Sequence, residues 1–337
     1  MFIDTHCHLN NEYRGGVNDV IGRARRKNIG AIVTSTADPT DLDAVLEIAH
    51  GHKNVFCTVG FHPDCAGRVT AAEYLKPDIL NDDMVIGVGE IGLDYHQRTD
   101  NRIAQIKLFS DQLELAQQYD LPVVIHTRQA EEDTKMVLTD KNHGVLHCYT
   151  GSWDLAKTML DRGFFISASG ILTFNKSDDI RDVFKKIPMD RIVVETDSPF
   201  CAPVPFRGRT CESWMVKKTA KMLAEIRGIS FEKIEPILYE NTLKLFPKMH
   251  IVEVVKCLNG NQRKRLREQR ALSAIREAEQ NGTPIPEQLI SAKPERPMWR
   301  SRPNTKTKQT QPTRPEPREG VLLEQVALER LLGKNDA

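Results

Sequence analysis

Leu121-Pro122-Val123-Val124-Ile125-His126 is a short apolar run that ends on an imidazole, and the same grammar recurs along the chain. Met84-Val85-Ile86-Gly87-Val88-Gly89 runs into Glu90, Gly144-Val145-Leu146 into His147, and Arg191-Ile192-Val193-Val194-Glu195-Thr196 into Asp197. Continuous β-branched runs suit parallel strands buried on both faces, because polar alternation is needed only where one face meets water. A polar residue at the carboxyl end of such a strand lies where a (β/α)8 barrel keeps its catalytic groups. One such strand end alone is an ordinary satisfied side chain. Repeated with a metal-capable group each time, it argues for a shared cavity.

Working outward, Phe2-Ile3-Asp4-Thr5-His6-Cys7-His8-Leu9 adds two more groups of this kind. Strand alternation places Asp4, His6 and His8 on one face. Two imidazoles two positions apart can grip one ion. Asp4, one step deeper, is expected to accept an imidazole N–H and fix its tautomer. For His6 and His8 alone, surface histidines on an edge strand are the plainer alternative. Residues 29–34, 54–60 and 163–168 supply further strands. Between them fall helical stretches, such as 101–119 with an apolar stripe of Ile103, Ile106, Leu113 and Ala116. Asp38-Pro39 before Leu42, Val45, Leu46 and Ala49 predicts an N-cap with proline in the first turn. Residues 230–246 close the series with an amphipathic helix. This βαβ alternation calls for a parallel sheet, so the expected fold is α/β, a (β/α)8 TIM barrel with a helical and disordered C-terminal extension.

The chain has 337 residues, more than the ~250 of a typical barrel of this kind. Its net charge of +1 hides a split. Residues 248–337 carry 18 Lys and Arg against 11 Asp and Glu, a net of +7, leaving 29 basic and 35 acidic residues, −6, in the rest. The expected boundaries are a barrel over 1–247, a basic helical extension over 248–282 and a Pro-rich disordered tail over 283–337. Residues 283–320 hold eight of the 18 prolines, a composition that cannot offset its ordering entropy. Leu-rich residues 321–332 suit a small docking helix. A basic tail offers a contact for nucleic acid or an acidic protein, although a solvated helix face is the plainer reading of its basic run. The seven cysteines include no CxxC pair and fit reduced thiols in the cytoplasm. Cys7 and Cys148 adjoin the metal-capable residues and read as packing groups. No leader or ~18-residue apolar run is evident, so no membrane contact is expected.

Several stretches together resemble the TatD-type metal-dependent deoxyribonucleases of the amidohydrolase superfamily. They are Asp4-Thr5-His6-Cys7-His8-Leu9, Gly60-Phe61-His62-Pro63, Gly89-Glu90-Ile91-Gly92-Leu93-Asp94-Tyr95 and Pro122-Val123-Val124-Ile125-His126-Thr127-Arg128. His147-Cys148-Tyr149-Thr150-Gly151-Ser152, Glu195-Thr196-Asp197-Ser198-Pro199 and Asn241-Thr242-Leu243-Lys244-Leu245-Phe246 follow in family order. The resemblance implies two divalent cations, one held by His6, His8 and Asp197, the other by His126 and His147, with Glu90 bridging. It also implies a deoxyribonuclease, expected to be an exonuclease on single-stranded DNA. The chain departs from the family at Arg207-Gly208-Arg209-Thr210-Cys211-Glu212-Ser213. There Cys211 stands for an Asn and Ser213 for a Pro, which bears on loop geometry and substrate fit.

The donor set of imidazoles and carboxylates suits Mg, Mn or Zn. Two ions ~3.5–4 Å apart can clamp the attacking and leaving oxygens of a phosphodiester. Asp197 and Glu90 are the expected catalytic carboxylates, with Asp197 accepting the proton of the attacking water. Arg128 and Arg207 sit in the ligand-bearing loops and suit phosphate oxygens, or ordinary salt bridges. His62, at another strand end, suits a substrate phosphate contact, an auxiliary ligand or a structural hydrogen bond. Two other functions share the scaffold: an ester or amide hydrolase such as an aminoacyl-tRNA deacylase, and a non-enzymatic nucleic-acid binder.

Overall fold

In the computed structural model, which describes residues 1–10, 13–96 and 99–252, every apolar run becomes a strand. They are β1 (Phe2–Cys7), β2 (Ile29–Ser35), β3 (Val55–Val59), β4 (Val85–Asp94), β5 (Val123–Arg128), β6 (Gly144–Leu146), β7 (Phe165–Ala168) and β8 (Ile192–Val194). All lie parallel, paired in chain order in one sheet. The last strand returns to the first through side-chain and loop bonds. Thr5 Oγ1 donates to the Val194 carbonyl at 3.0 Å, Asp197 N to the His6 carbonyl at 3.0 Å and His8 N to the Ser198 carbonyl at 2.7 Å. These bonds close the barrel at the end where the metal-capable residues stand.

Helices wrap the outside. They are α1 (Gly16–Arg26), α2 (Leu42–Gly51), the single turns α3 (Ala71–Tyr74) and α4 (Pro77–Leu80), then α5 (Arg102–Gln118), α6 (Glu131–Val137), α7 (Trp153–Asp161), α8 (Asp178–Lys186), α9 (Val216–Arg227) and α10 (Phe231–Leu245). In α1 the buried residues Val17, Val20, Ile21 and Ala24 form a stripe at helical spacing. The expected cap before α2 is present: Asp38 Oδ1 accepts from Thr40 N at 3.0 Å while Pro39 opens a short 3-10 turn.

The barrel interior is solid. Ile3, Ala31, Val33, Phe56, Ile86, Val124, Val145, Phe165 and Val193, from all eight strands, form one apolar layer. Phe246 and Met249, beyond α10, are buried against this layer and plug the amino end of the barrel. With that end filled, only the carboxyl ends of the strands can hold a site.

In α5 the expected stripe is corrected at one position. Ile103 is 85% exposed, and the helix instead buries Gln105, Leu108, Phe109, Gln112, Leu113 and Ala116. The two glutamines displace the apolar residue because their amides are needed by neighbouring loops. Gln112 accepts from Phe61 N at 2.7 Å and donates to its carbonyl at 3.1 Å. Gln105 does the same for Asp94, at 2.9 and 3.0 Å. Among the described residues no helix is long and apolar enough to cross a membrane. From residue 253 onward, the expected basic extension, Pro-rich tail and docking helix lie outside the described residues.

Candidate metal centre

Glu90 lies within β4, where three glycines let the strand approach its neighbours closely. At Gly92, φ is +141° and a Cβ would stand 1.9 Å from the His126 carbonyl oxygen, so no side chain fits. The close pairing brings the Glu90 carboxylate among four imidazoles. Its Oε2 lies 3.4 Å from His6 Nε2 and 3.3 Å from His8 Nε2. Its Oε1 lies 3.0 Å from His126 Nδ1 and 2.8 Å from His147 Nε2. The imidazoles pair off in the same way: His6 and His8 Nε2 are 3.2 Å apart, and His126 Nδ1 and His147 Nε2 are 3.3 Å apart. Asp197 completes the first group, with Oδ1 3.8 Å from His6 and 3.7 Å from His8. All six donors therefore converge, and the two oxygens of Glu90 face different groups.

These separations fit cations. Ligand atoms bound ~2.0–2.2 Å from one ion stand about 3–3.6 Å from one another; the imidazole and Glu90 contacts of 2.8–3.4 Å lie at or close to that spacing, and Asp197, at 3.7–3.8 Å, needs a small shift to join it. The donors are all nitrogen and oxygen, a set that suits Mg, Mn or Zn. Protonation tells the same story. Burial alone would raise Glu90, yet His147, His126 and His6 hold it well below the usual carboxylate range. Burial disfavours charge on His147, but Glu90 and Glu195 raise it well above an ordinary imidazole. His126, likewise opposed by burial, is raised to about 9 by Asp94 and Glu90. His6 is lowered by burial and by the His147 charge. Protons here compensate buried carboxylates, and a bound cation would take over that role as it displaces them.

Three further groups hold the donors in place. Asp94 Oδ2 lies 3.2 Å from His126 Nε2, and Glu195 Oε1 lies 3.3 Å from His147 Nδ1. His8 Nδ1 faces the Ser35 carbonyl at 3.2 Å. Such partners fix ring orientation and ligand basicity. Sequence reasoning assigned no role to Asp94 or Glu195, although Asp94, four residues after Glu90 in one strand, carried the spacing that puts two side chains on one face.

Asp4 requires a correction. Its register irregularity, between Asp4 and Cys7 in the β1–β2 pairing, interrupts the alternation that was expected to align Asp4 with His6 and His8. Asp4 is fully buried and accepts from Thr196 N at 2.8 Å and Thr196 Oγ1 at 2.7 Å, with no imidazole among these partners. Burial pushes its carboxyl up to about 8 against those hydrogen bonds. It thus steadies the backbone leading into Asp197, whose left-handed φ of +54° is costly for a non-glycine residue. In the loop that departs from the family, Cys211 N donates to the Pro199 carbonyl at 2.9 Å, and Glu212 is engaged by Arg23 Nε at 2.7 Å. That loop braces the outside of the same corner.

Above the donors opens a cleft of about 420 Å³ lined by His62, Arg128 and Arg207, along with His8, Glu90, His126 and Asp197. His62 Nε2 comes within 4.0 Å of Glu90 Oε1, while its Nδ1 accepts from Asp64 N at 3.3 Å. Arg128 Nη1 lies 3.8 Å from Asp94 Oδ2, and its buried Nη2 has no hydrogen-bond partner. Arg207 donates from Nη1 to the Ala202 carbonyl at 3.3 Å and stacks 3.9 Å over the Phe174 ring. Cys7 is wholly buried, as expected, whereas Cys148 is only half-buried.

The family model described as TatD related DNase matches residues 3–247. The uncharacterized metal-dependent hydrolase YabD of Bacillus subtilis is 34% identical over 253 residues, covering 73% of this chain and 99% of that protein. The uncharacterized metal-dependent hydrolase YcfH of Escherichia coli is 32% identical, covering 72% and 95%. Among solved structures, that of the TatD homologue YjjV from Escherichia coli has a TM-score of 0.66 at 28% identity, covering 73% of this chain and 98% of that one.

Proposed function

Because the chain belongs to the TatD-related DNase family of metal-dependent hydrolases, we propose that it cleaves phosphodiester bonds of DNA, working from the end of a single strand. One observation carries the reading: the two oxygens of Glu90 face separate donor groups, at 3.3–3.4 Å and 2.8–3.0 Å. A pair of divalent ions, Mg, Mn or Zn, would be held there by His6, His8 and Asp197 on one side and His126 and His147 on the other, with Glu90 between. Such ions supply Lewis-acid polarisation of a phosphoryl oxygen and a water that ionises near neutral pH.

The chain's own residues do the rest. Asp197 stands at the cleft with Oδ1 toward the imidazoles, placed to accept the proton of an attacking water. Arg128 lines the cleft, and its Nη2 has no hydrogen-bond partner, so a small rotation of the guanidinium would suit it to a phosphate oxygen. Arg207, with its guanidinium laid on Phe174, is oriented for a second contact along the strand. His62 Nε2 is on the same side as Glu90 Oε1 and suits a further phosphate oxygen. The free thiols among the described residues fit a cytoplasmic setting. The basic residues of 248–337 add an electrostatic contact for the nucleic acid.

The test is digestion of end-labelled single-stranded DNA by purified protein with Mg or Mn, run beside aminoacyl esters. Stepwise loss from one end, abolished by Glu90→Gln, is the expected result. Turnover of the esters with intact DNA would transfer the site to the deacylase reading. A Glu90→Gln protein of full activity would remove Glu90 from the chemistry.

A further inference from the structure

Asp197 turns only one carboxylate oxygen toward the imidazoles. Oδ1 is the atom near His6 and His8, whereas Oδ2 lies 3.4 Å from Cys201 Sγ. Cys148, directly after His147, brings a second thiol to the same place. The two sulfur atoms and an Asp197 carboxylate oxygen lie within 4.8 Å of one another. Cys148 Sγ also donates to Ser169 Oγ at 3.2 Å, so it points away from the imidazoles and toward this corner.

Two thiols and a carboxylate form a donor set unlike that of the main centre. Thiolates select Zn2+, Cd2+ or Cu+ over the hard cations that oxygen and imidazole accommodate. Around a tetrahedral ion with sulfur at ~2.3 Å and oxygen at ~2.0–2.2 Å, ligand atoms stand about 3.4–3.8 Å apart. Cys201 and Asp197 already meet that spacing at 3.4 Å. The remaining separations need small side-chain rotations. Cys201 lines the cleft beside Phe200, which provides an entry path and leaves a fourth position for water.

We propose that Cys148, Cys201 and Asp197 Oδ2 form a separate site for a soft divalent cation such as Zn2+ or Cd2+, and that filling it stops hydrolysis. On binding, each thiol releases its proton to solvent, two metal–sulfur bonds and one metal–oxygen bond form, and no oxidation state changes. Asp197 engaged through Oδ2 loses its basicity toward water. The inhibitory half therefore rests on Asp197 accepting that proton, while the cation site itself does not.

The test uses the full chain loaded with excess Mn2+ and titrated with Cd2+. The thiolate-to-cadmium absorption band is followed together with cleavage of a chromogenic phosphodiester. The wild-type protein should develop a band that saturates one equivalent above Cys148→Ser and Cys201→Ser, both of which lack that increment. Half-inhibition, scaled to each protein's own cadmium-free rate, should need ~10–100-fold more Cd2+ in either variant. No band at stoichiometric cadmium, or an undiminished band in either variant, overturns the site. A full band with unaltered cleavage keeps the site but overturns the inhibition, and with it the role of Asp197 as proton acceptor.

Discussion

Replacing Asp94 by Asn isolates what holds one imidazole in place. Asp94 uses both oxygens: Oδ1 accepts from His96 N at 2.8 Å, and Oδ2 lies 3.2 Å from His126 Nε2. An asparagine has one side-chain oxygen, so either the loop after β4 or His126 loses its acceptor. The negative charge that keeps His126 Nδ1 electron-rich toward Glu90 and any cation is lost in either case. Removing a partner of this kind costs ~10–100-fold in metal affinity or activity, which is roughly 1.4–2.7 kcal/mol. The fold should survive, because Gln105 grips the Asp94 backbone whatever its side chain. Calorimetric titration of Mn2+ into the metal-free protein measures the affinity, and a thermal melt checks the fold. A variant with wild-type affinity and turnover would refute the view that Asp94 tunes the His126 side of the centre.

Asp4→Ala leaves the buried Thr196 N–H and hydroxyl without an acceptor. It should destabilise the protein by about 1–3 kcal/mol per orphaned donor and lower kcat as Asp197 loosens, which denaturant titration and steady-state kinetics would show. Phe246→Ala empties the floor of the barrel and should cost about 3–5 kcal/mol in urea unfolding, with little change in turnover at temperatures where the variant stays folded. Truncation after Val252 should weaken DNA affinity and flatten its dependence on salt; an unchanged salt slope would take the basic tail out of substrate binding.

The eight strands were legible because a strand buried on both faces leaves a continuous apolar run. The donors stand late in β1 and β5 or just beyond β1, β6 and β8, whereas Glu90, expected at a strand end, lies inside β4, which continues to Asp94. What remained hidden depended on contacts between distant segments. The register irregularity in β1 turned Asp4 toward Thr196, and no local pattern announces such a shift. Gln105 and Gln112 stood outside the expected apolar stripe, yet each is buried and satisfies both backbone groups of one residue, Asp94 and Phe61 respectively. Ile103 was placed in the stripe by the same periodicity and lies in solvent. The roles of Asp94 and Glu195 became visible only once β4 stood beside β5 and the segments following β6 and β8 met, since a carboxylate that orients an imidazole is recognised by its partner rather than by its neighbours in sequence.

The central claim is that four imidazoles and two carboxylates hold two cations with Glu90 between them. Anomalous scattering from crystals grown with Mn2+ tests it most directly. Two peaks are predicted, one among His6, His8 and Asp197 and one between His126 and His147, with the Glu90 carboxylate lying between the two. No peak at these donors, or manganese bound only elsewhere on the surface, would contradict the account.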